Sequence, residues 1–298
     1  MKITIASRGS KLAVTQSEEV KARLEEYDSS LEVEIKIINT KGDMILDKPL
    51  NKIGEKGLFT KELEEQLLDG RVDLAVHSMK DMPSVLPEGL MFAGTFSPSD
   101  PHDCLVFNGD YKNIDELPMG ATIGTGSPRR KYQLLQYRPD LNIVGIRGNV
   151  QTRLKKMEEE GMHATVLACA GLKRLGMESL IGQSLSYDIM TPACAQGILA
   201  LEVKEGSWLL PILDGICDKS ATRRMELERL YLETIGGSCH VPVGAHIDFI
   251  DEGIDFYCIY GDEEGHCIER YHEIIHDNYE DRIKEIALMM KDKVINHG

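Results

Sequence analysis

No stretch of this 298-residue sequence comes near the roughly 20 consecutive apolar residues that a membrane-spanning helix needs. Basic residues are in deficit as well. Lys and Arg number 34 against 49 Asp and Glu, and the net charge of −15 argues against the basic face of a nucleic-acid-binding domain. Paired cysteine spacing is absent too: the seven cysteines are odd in number, so reduced thiols are expected rather than a disulfide framework. No metal site is expected, because Cys239, His240 and His246 match no common zinc-ligand spacing. His272 and His276 read as surface residues. The charged and apolar segments of a signal peptide are missing ahead of Lys2-Ile-Thr-Ile-Ala6, and a cytoplasmic protein is expected. What remains is an ordinary globular composition, 42% apolar and 28% charged, in a chain long enough for two or three domains.

Against this acidic background the arginines occupy particular places. In Ala121-Thr-Ile-Gly-Thr-Gly-Ser-Pro-Arg-Arg130 a short strand hands over to a helix, with Ser127 as N-cap and Pro128 at the first helical position. Arg129 and Arg130 then fall in the first turn, where the helix dipole disfavours a cation by about 0.3–1 kcal/mol. Leu141-Asn-Ile-Val-Gly-Ile-Arg-Gly-Asn-Val150 repeats the arrangement with Arg147 and an Asn149 cap, and Arg153 follows within a turn. Ile3-Thr-Ile-Ala-Ser-Arg-Gly-Ser10 does so with Arg8. At one junction, a surface Arg paired with a nearby Glu explains the pattern as well. Three junctions together point to a small ligand carrying several carboxylates or phosphates.

Residues 1–95 alternate strand and helix, with strands expected at 2–6, 31–40 and 72–78 and helices near 11–27 and 59–69. Val72-Asp-Leu-Ala-Val76 has the apolar character of a strand buried on both faces. The Gly- and Lys-rich stretch 41–57 is long for a connection and reads as a lid over a site. A Pro-containing hinge at 96–101 precedes strands near 104–107, 121–125, 141–146 and 164–169 and helices near 128–137, 149–160 and 171–176. A second crossing at Thr191-Pro192 leads to Ile198-Leu-Ala-Leu-Glu-Val203, a strand for which the first lobe is the expected partner. Two α/β lobes crossed twice would leave a ligand cleft between them. A helix at 219–235, strands at 241–249, 254–260 and 266–274, and a helix at 279–296 read as a small α+β domain.

Two segments carry chemistry. His77-Ser-Met-Lys-Asp-Met-Pro83 follows a strand directly, which places Asp81 and Lys80 at the carboxyl edge of a parallel sheet. A carboxylate there suits a developing cation; the plainer reading is a loop Asp that caps the next turn. Cys239, in Ile235-Gly-Gly-Ser-Cys-His-Val-Pro-Val-Gly244, follows a helix C-terminus, where the dipole does not favour a thiolate. That fits a thiol alkylated once and permanently better than a cycling nucleophile; the plainer reading is a small buried residue.

The chain resembles the hydroxymethylbilane synthase (porphobilinogen deaminase) family over essentially its whole length. The matching motifs are Ala6-Ser-Arg-Gly-Ser-Lys-Leu-Ala13, Gly54-Glu-Lys-Gly-Leu-Phe59, Ala75-Val-His-Ser-Met-Lys-Asp81, Gly124-Thr-Gly-Ser-Pro-Arg-Arg130 and Ile146-Arg-Gly-Asn-Val150 with Arg153. Ala170-Gly-Leu-Lys-Arg-Leu-Gly176 and Gln196-Gly197 complete the series, and Cys239 falls in the family's attachment loop. The chain departs from the family at Ser238, where a Gly commonly precedes the cysteine, and at Ala195.

The resemblance implies an α/β fold of two lobes like type-2 periplasmic binding proteins, joined by a double crossover, plus a small C-terminal α+β domain. The implied domains are 1–96 with 196–214, 97–195, and 215–298. It further implies a dipyrromethane cofactor held by a thioether to Cys239, onto which four porphobilinogen molecules condense with loss of ammonia before hydroxymethylbilane is hydrolysed off. Asp81 would be catalytic, accepting pyrrole N–H hydrogen bonds and stabilising the charge formed as ammonia leaves. Cofactor contacts would come from Lys80, Asp81, Thr125, Ser127, Arg129, Arg130, Arg147, Gly148 and Ala170. Substrate contacts would come from Arg8, Ser10, Lys56, Phe59, Arg153, Arg174 and Gln196. Porphobilinogen is the implied partner, with no nucleic acid or membrane, and a monomer is expected. The rival is a non-catalytic cytosolic two-lobed anion-binding or sensing protein, which leaves Asp81, Cys239 and the third domain without a purpose. A cysteine hydrolase lacks an evident His partner.

Overall fold

The structure is a computed structural model and describes residues 1–44, 60–83, 85–237 and 241–297. The chain divides into two compact units, residues 1–99 with 197–223 and residues 100–196 with 224–298.

In the first unit, β1 (Lys2–Arg8) leads into α1 (Lys11–Tyr27), followed by β2 (Glu32–Ile38), α2 (Lys41–Met44), α3 (Lys61–Leu68), β3 (Leu74–Ser78) and β4 (Leu90–Phe96). α1 starts where Ser10 accepts a hydrogen bond from the Ala13 backbone N–H, and it buries Ala13, Gln16, Ser17, Val20 and Leu24. β1 pairs in parallel with β2 and β3. The expected partner of the 198–203 strand is present: β10 (Leu199–Lys204) inserts antiparallel between β3 and β4, giving the order β2-β1-β3-β10-β4. One face of this sheet packs Ile3, Ile5, Leu74, Val76 and Leu201 against Val20 and Leu24 of α1 and Leu213 of α7 (Leu210–Ile216). The other packs Ala6, Ala75 and Leu90 against Leu63 and Leu67 of α3. β3 is buried on both faces, as its apolar run requires.

In the second unit the elements are β5 (Asp103–Phe107), β6 (Thr122–Gly124), α4 (Pro128–Tyr137), β7 (Asn142–Val144), α5 (Val150–Glu159), β8 (Ala164–Ala168), α6 (Cys169–Arg174) and β9 (Gln183–Ser184). Their order, β7-β6-β8-β5-β9, repeats that of the first sheet: second, first, third, crossing strand, fourth. In both sheets the crossing strand runs antiparallel to its neighbours. This shared topology is the two-lobed α/β architecture expected. α8 (Lys219–Ile235), within which the boundary between the units falls, is followed by β11 (Val243–Ile250), β12 (Gly253–Gly261), β13 (Ile268–Ile275) and α9 (Tyr279–His297). The three strands form an antiparallel meander whose inner face buries Ala245, Ile247, Phe256 and Cys258 against Tyr231 of α8 and Ile283 and Ile286 of α9. This is the expected small α+β domain.

Several local expectations need correction. β4 lies where the sequence assigns no element between the 72–78 strand and the hinge, and its last residue falls within the expected hinge. Its segment Leu-Met-Phe-Ala-Gly-Thr-Phe lacks period-2 alternation, and the register shifts where Gly94 sits at φ +141, a left-handed conformation with no room for a Cβ beside Cys217. α7 was likewise not expected, and α6 begins two residues before the expected 171 because β8 passes into it without a loop. Within the 41–57 stretch, residues 41–44 form a helical turn, and the expected lid otherwise lies outside the described residues. No helix among the described residues is long and apolar enough to cross a membrane.

Candidate active site

Parallel strands put their carboxyl ends on one edge of the sheet, and helix N-termini start there. At that edge of the first unit lie Arg8, which ends β1, and Ser78, which ends β3. The chain leaves β3 through a single 3₁₀ turn, Met79–Asp81, pinned by the Met79 N–H donating to the Ile198 carbonyl at 3.0 Å. Asp81 is exposed and shares a depression with Arg8, Ser10, Gln16, His77 and Ser78. Three sequence candidates, Asp81, Arg8 and Ser10, thus come together, and Lys80, next to Asp81 in the chain, is half-buried. Gln16 and His77 join them without being candidates on the sequence alone. Gln16 donates from Nε2 to Ser78 Oγ at 3.0 Å, tying α1 to the end of β3. His77 Nε2 lies 2.9 Å from the Glu202 carboxylate, both buried. Burial pushes the nearby Glu64 carboxyl above the usual range, and the Glu202 charge adds to the effect. Their only sequence signal was polarity at positions whose neighbours are core.

In the second unit β6, β7 and β8 run parallel, and the segments that follow them carry the remaining described candidates except Gln196. The Thr125 N–H donates to the Val144 carbonyl at 2.9 Å, and a Cβ on Gly126 would stand 2.9 Å from the Ile146 carbonyl oxygen, so the loops entering α4 and α5 are in contact. Both expected caps are present. Ser127 accepts from the Arg130 N–H at 3.4 Å, and Asn149 from the Thr152 N–H at 2.9 Å. Gly148 has φ +122, and any Cβ there would collide with Thr152. Ala170 is buried in the first turn of α6.

The arginines differ in their surroundings. Arg129 and Arg130 are buried, and each meets the wholly buried Asp103 carboxylate at 2.6 Å. Burial lowers the Arg129 pKa, while the Asp103 charge opposes the shift. Asp103 begins β5, and because β5 runs antiparallel to β8 it faces Ala168 at the edge where the arginines lie. Gln196 also donates to Asp103, at 3.0 Å. Two guanidinium groups share one carboxylate, so the cluster keeps one positive charge. Arg147 is half-buried, and its Nη1 is buried without a hydrogen-bond acceptor among the described residues. Arg153 donates from Nε to the Gly148 carbonyl at 2.8 Å, and Arg174 lies half-buried at the end of α6. Cys239, Lys56 and Phe59 lie outside the described residues. Among the described cysteines, burial raises the Cys217 thiol to about 11 and the Cys258 thiol to about 12, which keeps both protonated at neutral pH.

Residues 3–209 match the family model "Porphobilinogen deaminase, dipyromethane cofactor binding domain", and residues 222–292 match "Porphobilinogen deaminase, C-terminal domain". The chain is 48% identical over 266 residues to the porphobilinogen deaminase of Clostridioides difficile (strain 630), covering 89% of this chain and 88% of that one. It is 50% identical over 274 residues to that of Clostridium novyi (strain NT), covering 91% of each. Among solved structures it is similar to a TRAP periplasmic solute binding protein from Desulfovibrio salexigens, at 12% identity and a TM-score of 0.45, covering 77% of each chain. It is also similar to the methionine binding protein MetQ, at 13% identity and a TM-score of 0.43, covering 76% of this chain and 94% of that one.

Proposed function

The chain belongs to the porphobilinogen deaminase family, and from that premise we propose how its own residues divide the work of a hydroxymethylbilane synthase. The activity is the stepwise deaminating condensation of porphobilinogen in tetrapyrrole biosynthesis, on a dipyrromethane cofactor. When bound, that cofactor supplies the nucleophilic pyrrole carbon to which units are added. Each pyrrole carries an acetate and a propionate, so the group to be held is a polyanion.

The residues at the ends of β6, β7 and β8 fit such a group. The observation that carries this reading is Arg147 Nη1, a guanidinium nitrogen buried without an acceptor among the described residues. A carboxylate oxygen there would complete it with a charge-assisted hydrogen bond, worth about 1.5–3 kcal/mol. The Thr125 and Ser127 hydroxyls and Gly148 line the same loops, Ala170 follows the end of β8 in the first turn of α6, and the surplus positive charge of Arg129 and Arg130 favours anions there. Arg8, Ser10, Lys56, Phe59, Arg153, Arg174 and Gln196 are assigned to the incoming substrate and the growing chain, and Cys239 to the thioether. Asp81, exposed in its depression with Arg8 close by, accepts hydrogen bonds from the reacting pyrrole N–H and stabilises the positive charge that grows as ammonia departs. Lys80 assists in orienting a carboxylate. In this reading the chain works through three parts, 1–96 with 196–214, 97–195 and 215–298. It acts as a cytoplasmic monomer without nucleic-acid or membrane partners, in keeping with its net charge of −15.

Arg147→Leu tests the anion site. The variant is expected to keep the parent's thermal midpoint within about 2 °C, since Arg147 Nη1 contributes no internal hydrogen bond, yet to lose most of its covalently bound pyrrole by intact mass. A variant with a full adduct and parental turnover would remove Arg147 from the site.

A further inference from the structure

The Asp103 carboxylate is wholly buried and accepts from three side chains at once. Arg129 donates from Nη1 to Oδ2 at 2.6 Å. Arg130 donates from Nε and Nη2 to Oδ1 at 3.0 and 2.6 Å, a fork on a single oxygen. Gln196 donates from Nε2 to the same oxygen at 3.0 Å. Each donor is also fixed at a second point. Arg129 donates to the Thr191 carbonyl at 2.7 Å, Arg130 to the Val166 carbonyl at 3.0 Å, and Gln196 to the Pro101 carbonyl at 2.6 Å. One carboxylate therefore sets the rotamers of three residues assigned above to cofactor or substrate.

The constraint extends to the C-terminal domain. Gln133 donates to the Thr191 carbonyl at 3.1 Å and accepts from the Thr191 N–H at 2.8 Å, so Thr191 is held from α4 on both sides. Gly244 of β11 packs on that point: a Cβ there would stand 2.4 Å from the Pro192 carbonyl oxygen and 3.0 Å from Arg129 Cδ. The strand that follows Cys239 in the sequence is thus seated on the arginine whose guanidinium Asp103 holds.

We propose that Asp103 is a positioning residue for the condensation reaction, aligning Arg129, Arg130 and Gln196 and fixing the seat of β11 without itself touching cofactor or substrate. The proposal rests on the assignment of those three residues to ligand binding. A merely structural ion pair would affect stability. A positioning carboxylate must also affect how the arginines meet carboxylates, and this appears as a rise in KM at nearly constant kcat.

The test uses the full chain as parent, Asp103→Asn and Asp103→Glu, each read by intact mass, thermal midpoint, and kcat and KM for porphobilinogen in the adduct-bearing fraction. In Asp103→Asn the adduct-bearing fraction should fall at least tenfold, or KM should rise at least tenfold with kcat within threefold. Asp103→Glu should be intermediate, because the charge survives while its reach changes. An Asp103→Asn protein that is folded, fully adduct-bearing and within twofold of the parental KM overturns the proposal. If Asp103→Asn does not fold, Asp103→Glu carries the test, since it keeps the charge and all three donors. A folded, fully adduct-bearing Asp103→Glu with parental KM, or failure of Asp103→Glu to fold as well, would assign Asp103 to stability alone and overturn the positioning role. Arg130→Leu is measured alongside: parental adduct and KM in that variant would count against the ligand assignment itself, separately from Asp103.

Discussion

Asp103 and Arg147 show two ways for an acidic protein to keep cations at helix starts. Arg129 and Arg130 stand in the first turn of α4 against its dipole, and an internal carboxylate compensates them. Arg147 precedes α5 with a buried nitrogen lacking an acceptor among the described residues, an arrangement that costs free energy unless an anion completes it. The sequence made the cations and their positions legible, through Ser127-Pro128 and Asn149. It did not make Asp103 legible, because an aspartate opening a strand looks the same whether it faces solvent or two guanidinium groups. Asp81 was legible from its strand-end position, whereas His77 and Glu202 were not, since their pairing depends on β10 lying beside β3. For Asp81, removal of the charge at nearly constant shape is the informative change. Asp81→Asn is expected to retain its covalent pyrroles if they are supplied preassembled, and to condense porphobilinogen about a hundredfold or more slowly in single-turnover kinetics. Near-parental condensation would take Asp81 out of the chemistry.

Among the elements, α8 and β11 are joined through a buried histidine. Burial works against protonation of His246, but Asp248 and Glu228, whose oxygens lie 3.0 and 3.4 Å from its ring nitrogens, outweigh it and raise its pKa above the usual 6.5. Its ring also packs on Tyr187, with centroids 4.4 Å apart. The folded state therefore binds this proton more tightly than the unfolded chain does. The resulting stability is fully present below about pH 6.5 and is lost as pH rises through the higher folded value. Thermal midpoints of the parent and His246→Gln should differ more at pH 6 than at pH 9, by about 1–3 °C. A gap that is constant across that range, or that widens with pH, would contradict the linkage. Element existence was legible wherever period and caps agreed, as in α1, α4, α5 and the C-terminal meander. β4 was not legible, because a register shift at Gly94 breaks its alternation. α7 was not, because a seven-residue helix offers too few turns for an apolar stripe to show.

At the scale of the molecule, the same sheet order appears in both units, and in each the crossing strand comes from sequence far from its neighbours. Because that strand runs antiparallel, it brings its own beginning to the edge where the parallel strands end. Asp103 reaches the ends of β6 and β8 in this way, and Ile198 reaches the turn that carries Asp81. The second crossing was legible in the sequence, since the apolar strand after Thr191-Pro192 had no partner nearby. The chemistry delivered by the crossings was not, because it depends on register. We infer that the chain carries a permanent pyrrole group on Cys239 and extends it. The most direct measurement is the intact mass of the purified full chain beside that of Cys239→Ser. An excess equal to two pyrrole units is expected on the parent, growing in unit steps when porphobilinogen is added, and the bare polypeptide mass is expected for the variant. A parent of bare mass that still turns over porphobilinogen, or an adduct that survives in Cys239→Ser, would contradict it.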